Sequence, residues 1–164
     1  MMANANLDRR TLLGVGAAAV AGMALLRSPS GAGAAGFRVS HSPAEWKRLL
    51  GPQRYAVLRE ASTERPFTSP LLNEHRRGTF VCAGCALPLF SSATKFESGT
   101  GWPSFWRALP NAVITRSDRS LLAERTEVLC ARCGGHLGHV FDDGPRPTGL
   151  RYCMNGLALK FVPA

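Results

Sequence analysis

Cys82-Ala83-Gly84-Cys85 and Cys130-Ala131-Arg132-Cys133 decide how this chain is read. Each pair can place two thiols on one tight turn. Two such turns facing each other supply four sulfur ligands in a tetrahedron, the arrangement of a closed structural zinc site. Forty-four residues separate the pairs, so a substantial piece of fold joins the two knuckles. Two disulfides are the alternative, and ligand type alone also admits iron. A thioredoxin-like pair would need a βαβ setting, which the sequence does not offer. With four sulfurs the metal has no open position, so its role is to staple a small domain rather than to do chemistry.

Outward from the knuckles, from Gly78 on, short apolar runs are punctuated by Gly and Pro: Thr79–Cys82, Leu87–Phe90, Ala112–Arg116, Leu121–Leu122, Thr126–Cys130, His139–Phe141, Arg151–Met154 and Leu157–Val162. This punctuation predicts many short strands. Upstream, Ser42-Pro43-Ala44-Glu45 reads as a capping box with Pro at the first helical position. Trp46, Leu49 and Leu50 share one helical face, Gly51 ends that helix, and a second begins after Pro52 with Tyr55 and Leu58 along it. The fold expected is mainly β, an antiparallel core with two small helices at its N-terminal edge.

The chain has 164 residues, 45% hydrophobic and 19% charged, which suits one globular domain and excludes a largely disordered chain. No apolar run reaches the roughly 18 residues of a membrane span. Residues 1–35 resemble a twin-arginine signal: Arg9-Arg10 precede an uncharged Leu12–Leu26 stretch, and small residues follow to Ala35. The domain expected is therefore 36–164, exported to the periplasm or another extracytoplasmic space. The net charge of +9 comes from scattered basic residues without a dense run, so no nucleic-acid partner is expected. A monomer is expected, with no stable membrane span after processing.

Cys153 remains outside the metal set. A lone strand cysteine is often a small buried hydrophobe. Here His136 and His139, with Asp143 just beyond, complete the parts of a thiol catalyst. Arg151, two residues before Cys153, shares its face in an extended segment, and a cation there favours a thiolate.

Ser98-Gly99-Thr100-Gly101-Trp102-Pro103-Ser104-Phe105, His136-Leu137-Gly138-His139-Val140-Phe141 and Gly149-Leu150-Arg151-Tyr152-Cys153-Met154-Asn155 resemble the B-type methionine sulfoxide reductases, the peptide-methionine (R)-S-oxide reductases. Leu58-Arg59-Glu60 and Thr63-Glu64-Arg65-Pro66-Phe67 resemble the family's N-terminal region, so the likeness runs from about Trp46 to Phe161. The resemblance implies two antiparallel sheets in a twisted β fold with zinc on the four paired cysteines. It implies reduction of methionine-R-sulfoxide in oxidised peptides and proteins by a Cys153 sulfenic acid route, with exported proteins as the expected targets. His139 and His136 are then the candidates for proton chemistry, oriented or tuned by Asp143. Trp102 packs on the substrate methyl group, Phe105 and Phe141 complete an apolar pocket, and Asn155 and Arg151 organise it. Many members carry a resolving cysteine between the glycines of the Ser-Gly-x-Gly-Trp motif, where this chain has Thr100. The expected cycle therefore uses one cysteine and an external thiol reductant.

Overall fold

The computed structural model describes residues 36–119 and 124–164. The signal-like segment 1–35 and the expected strand at Leu121–Leu122 lie outside the described residues.

Helix α1 spans Pro43–Glu60 and kinks at Gly51 (φ 70°), immediately before Pro52, so the two helices expected are its two halves. Ser42 caps it: its side chain accepts from the Glu45 amide while the Glu45 carboxylate accepts from the Ser42 amide. Trp46 is buried and Leu50 half-buried, but Leu49 is 54% exposed. Three residues turn a helix by about −60° and four by about +40°, and the core lies on the Leu50 side of Trp46.

Nine strands follow among the described residues: β1 (Gly78–Cys82), β2 (Pro88–Ser91), β3 (Lys95–Phe96), β4 (Ser104–Phe105), β5 (Val113–Asp118), β6 (Arg125–Cys130), β7 (His136–Phe141), β8 (Arg151–Met154) and β9 (Leu159–Pro163). They form two sheets, ordered β2-β1-β9 and β3-β4-β8-β7-β6-β5, and every pairing is antiparallel. The two-residue strands β3 and β4 carry too little pattern to announce themselves in sequence.

The fully buried side chains Phe80, Phe90, Phe105, Leu58, Leu89, Leu137, Met154 and Val128 come from both sheets and α1. The Phe105 ring stacks on Phe90 at 4.4 Å and meets Phe80 edge-on at 4.9 Å. Each such side chain contributes about 1.5–3 kcal/mol by leaving water. This core holds one face of the larger sheet and leaves the other for a site. No helix among the described residues is long and apolar enough to cross a membrane.

Candidate active site and metal centre

Cys82 ends β1 and Cys130 ends β6, so the two knuckles belong to different sheets. In each, the amide four residues beyond the first cysteine (Ala86, Gly134) donates to that cysteine's carbonyl at 2.8 Å. All four Sγ atoms lie within 4.8 Å of one another, Cys82 to Cys133 at 3.7 Å and Cys85 to Cys130 at 3.5 Å. A tetrahedron with Zn–S bonds near 2.3 Å has edges of about 3.8 Å. These separations therefore fit one zinc ion, and all four thiols are free rather than paired in disulfides. Hydrogen bonds from Cys133 and Cys82 hold the Cys130 thiol low, at about 2, while the bonds with Cys130 push Cys82 up. Neighbouring thiols thus share their protons, and a divalent cation is what lets all four ionise. Such an ion would tie the small sheet to the large one.

Cys153 is half-buried on β8. Its cross-strand partners are Ser104 on β4 and His139 on β7. His139 in turn pairs with Glu127 on β6, and Glu127 with Arg116 on β5. Residues in register share a face, so one polar row crosses five strands of the larger sheet. Alternation adds Phe141 and Arg151 to the same face. Arg151 stacks over Phe141 at 4.4 Å.

Register also decides Phe105. It pairs with Tyr152, the residue before Cys153, and so points to the opposite face. The expectation that Phe105 lines the pocket is corrected: it is fully buried core.

His136 and His139 stand three apart, which in a regular strand would put them on opposite faces. A bulge in the β6–β7 ladder, with Leu129 opposite His136 and Val128 opposite Gly138, corrects the phase. Their rings meet at 5.5 Å. Gly138 has φ 155°, and a Cβ there would fall 2.1 Å from the Cys153 carbonyl oxygen, so β7 can close on β8 only with glycine between the histidines.

The two histidines have separate carboxylate partners. His139 Nε2 lies 2.8 Å from Asp118 Oδ2, which also accepts from Arg125 at 2.7 Å. His136 Nδ1 lies 2.6 Å from Glu127, whose other oxygen accepts from Arg116. Burial holds His136 below the ordinary histidine value despite Glu127, so it is neutral at pH 7 and donates from Nδ1. Burial pushes Glu127 up, but the bonds from Arg116 and His136 outweigh it and keep the carboxylate ionised. Asp143 is not among these partners. It is exposed and accepts two bonds from Arg151 at 2.8 Å, which hold its carboxyl low and raise Arg151. The expectation that Asp143 is the carboxylate partner of the histidines is therefore corrected: Asp118 meets His139 and Glu127 meets His136.

A pocket of about 120 Å³ is lined by Thr63, Trp102, Arg125, Gly138, His139, Phe141, Cys153 and Asn155. A space of this size suits the methyl sulfoxide end of one side chain and not a whole peptide. His136 sits one layer behind it. Thr100 Oγ1 lies 3.7 Å from Cys153 Sγ and ends a hydroxyl chain through Ser98 and Ser104. Glu64 is the hidden organiser. Its buried carboxylate accepts from the amides of Gly156 (2.5 Å) and Leu157 (2.8 Å). Its own amide donates to Asn155 Oδ1 at 3.0 Å, and its carbonyl accepts from Trp102 Nε1 at 3.1 Å.

A family model described as the SelR domain matches residues 50–163. The chain belongs to the SelR family. Among relatives of this SelR chain, a "Peptide methionine sulfoxide reductase MsrB" of Bradyrhizobium diazoefficiens is 57% identical over 127 residues, covering 77% of this chain and 91% of that protein. One of the same name from Leptospira interrogans is 53% identical over 126 residues, 76% of this chain and 96% of that one. A "Peptide methionine sulfoxide reductase B1, chloroplastic" of Arabidopsis thaliana is 52% identical over 122 residues, covering 74% of this chain and 60% of its own length. The matched span contains both knuckles and every residue of the pocket.

Proposed function

We propose that this SelR-family protein reduces peptide methionine-R-sulfoxide to methionine at Cys153, with an external thiol as reductant. The observation that carries it is one small pocket in which a thiol, an imidazole and an indole converge: Cys153, His139 and Trp102. The Cys153 thiolate attacks the sulfoxide sulfur. The oxygen takes a proton as its bond to that sulfur breaks. Asp118 engages His139 Nε2, so Nδ1 is the nitrogen that serves the pocket. The attack joins Cys153 Sγ to the substrate sulfur, and the doubly protonated oxygen leaves as water; water then adds to Sγ as that S–S bond breaks, methionine leaves with the electron pair, and Cys153 remains as a sulfenic acid, one sulfur oxidised by two electrons and the other reduced by two. Two external thiols then return Cys153 to the thiol, releasing water and their disulfide. Trp102 and Phe141 wall the methyl group, and Arg151 balances charge on the Cys153 face. Zinc on the four paired cysteines would supply cohesion between the sheets and no step of the reaction.

The twin-arginine-like segment supports a further reading, that a monomeric enzyme acts outside the cytoplasm on oxidised exported proteins. Fractionation of cells expressing the full chain tests it: activity confined to the cytoplasm would overturn it. The reaction itself is tested with separated epimers of a peptide methionine sulfoxide and dithiothreitol. Turnover of the R-epimer alone, abolished in Cys153→Ser, is expected. Equal turnover by Cys153→Ser would refute it.

A further inference from the structure

Arg65-Pro66-Phe67-Thr68 turns beside the pocket, closed by the Thr68 hydroxyl donating to the Arg65 carbonyl at 2.7 Å. Phe67 has φ 63°. With Pro at the second place, the third place of such a turn calls for glycine or asparagine. The other non-glycine residues with positive φ among the described residues have local reasons. Ala61 caps α1, Ala86 sits in a cysteine knuckle, and Asn111 tolerates the conformation through its short polar side chain. Phe67 has no such reason, and the residue is 70% exposed, so packing does not offset the strain. A strained backbone that presents a solvent-facing aromatic points to a role outside the fold.

Its position says which. The Phe67 amide donates to the Gly101 carbonyl at 2.8 Å. A Cβ on Gly101 would fall 2.7 Å from Pro66 Cβ and 2.9 Å from the Phe67 nitrogen, so the turn is seated on that glycine. On one side of Gly101 is Thr100, against Cys153; on the other is Trp102, the pocket wall. The pocket takes only the end of one side chain, so the rest of a peptide must cross the rim. A chain advances about 3.3–3.6 Å per residue, which brings residues near the oxidised methionine past this ring.

We infer that Phe67 is a peptide-docking residue: its exposed ring takes an apolar side chain within three residues of the methionine sulfoxide. This rests on the reductase reading above. A held aromatic ring makes a low-entropy anchor for an apolar flank. The natural substrates would then be oxidised methionines in apolar segments.

The test uses the full chain with zinc, dithiothreitol and three kinds of substrate. They are N-acetyl-methionine-R-sulfoxide, a heptapeptide with the R-sulfoxide at its centre and glycine at the other six positions, and the same heptapeptide with leucine replacing each glycine in turn. For wild type, at least one leucine position is expected to raise kcat/KM about tenfold over the all-glycine peptide, through KM. Phe67→Ala is expected to erase that preference, and Phe67→Leu to keep part of it while guarding against a folding loss. Kinetics are normalised to N-acetyl-methionine-R-sulfoxide, so a general loss of enzyme does not imitate the effect. No leucine preference in wild type, or one that survives in Phe67→Ala, would overturn the inference. No turnover of N-acetyl-methionine-R-sulfoxide by wild type would overturn the reductase reading itself, and the docking role with it.

Discussion

Glu64→Gln removes one charge from the middle of the structure and almost no volume. The Glu64 side chain accepts from two backbone amides, Gly156 at 2.5 Å and Leu157 at 2.8 Å, just after Asn155. Glutamine keeps one carbonyl oxygen and turns the other acceptor into an NH₂, so one amide donor meets another donor. A hydrogen bond to a charged group contributes about 1.5–3 kcal/mol, and an orphaned buried donor costs about 1–3 kcal/mol, overlapping amounts that together give about 2–4 kcal/mol. Against a usual stability of about 5–15 kcal/mol this is a large fraction. In urea, with zinc bound at pH 7, the midpoint should fall by about 1–2 M with an unchanged slope. The bonds that position Trp102 and Asn155 come from the Glu64 backbone and survive the substitution. Turnover well below the unfolding transition should therefore stay within about a few-fold of wild type. A midpoint shift below about 0.3 M would refute the assignment of Glu64 as the organiser of this region.

Removing zinc with a strong chelator should lower the melting temperature and loosen the two sheets together, and metal analysis should give one zinc per chain; a chain equally stable without metal would argue against the staple. Thr100→Cys places a second sulfur where a hydroxyl already lies 3.7 Å from Cys153. It should yield an intramolecular disulfide after one turnover, visible by non-reducing mass spectrometry and absent from wild type. Stability should fall on acidification. Burial holds His136 below its ordinary value, and Arg116 and His136 hold Glu127 below its own against burial. At both groups the unfolded chain binds protons more readily. Their contribution is therefore full above about pH 6.5 and lost as pH falls through the histidine range and then the carboxylate range. Urea midpoints at pH 7.5, 6 and 4.5 should decrease in that order, and a rise between pH 7.5 and 6 would contradict the pairing.

The knuckles, the capping box and the break at Gly51-Pro52 were legible because each is written within a few consecutive residues. Cys153, His139, Trp102 and Asn155 were legible through motifs, and all line the pocket. What escaped the sequence was long-range or phase-dependent. Phe105 reads like a pocket aromatic until its pairing with Tyr152 turns it inward. Asp118 and Glu127 reach the histidines only because β5 and β6 bring them across the sheet, and Asp143 lies closer in sequence than either. The bulge in β7 had one local sign, the glycine between the two histidines. Glu64 stood in a family-like stretch, but its role had no local sign: the partners of its carboxylate lie more than 90 residues away.

In the proposed cycle Cys153 alone is oxidised, to a sulfenic acid. Fully reduced, zinc-loaded enzyme should be mixed with a peptide methionine-R-sulfoxide in the absence of any reductant and analysed by mass. One methionine per chain, with one oxygen added at Cys153 and trapped by a sulfenic-acid reagent, is the predicted result. An intramolecular disulfide, oxidation of the four paired cysteines, or methionine formed by Cys153→Ser would contradict it.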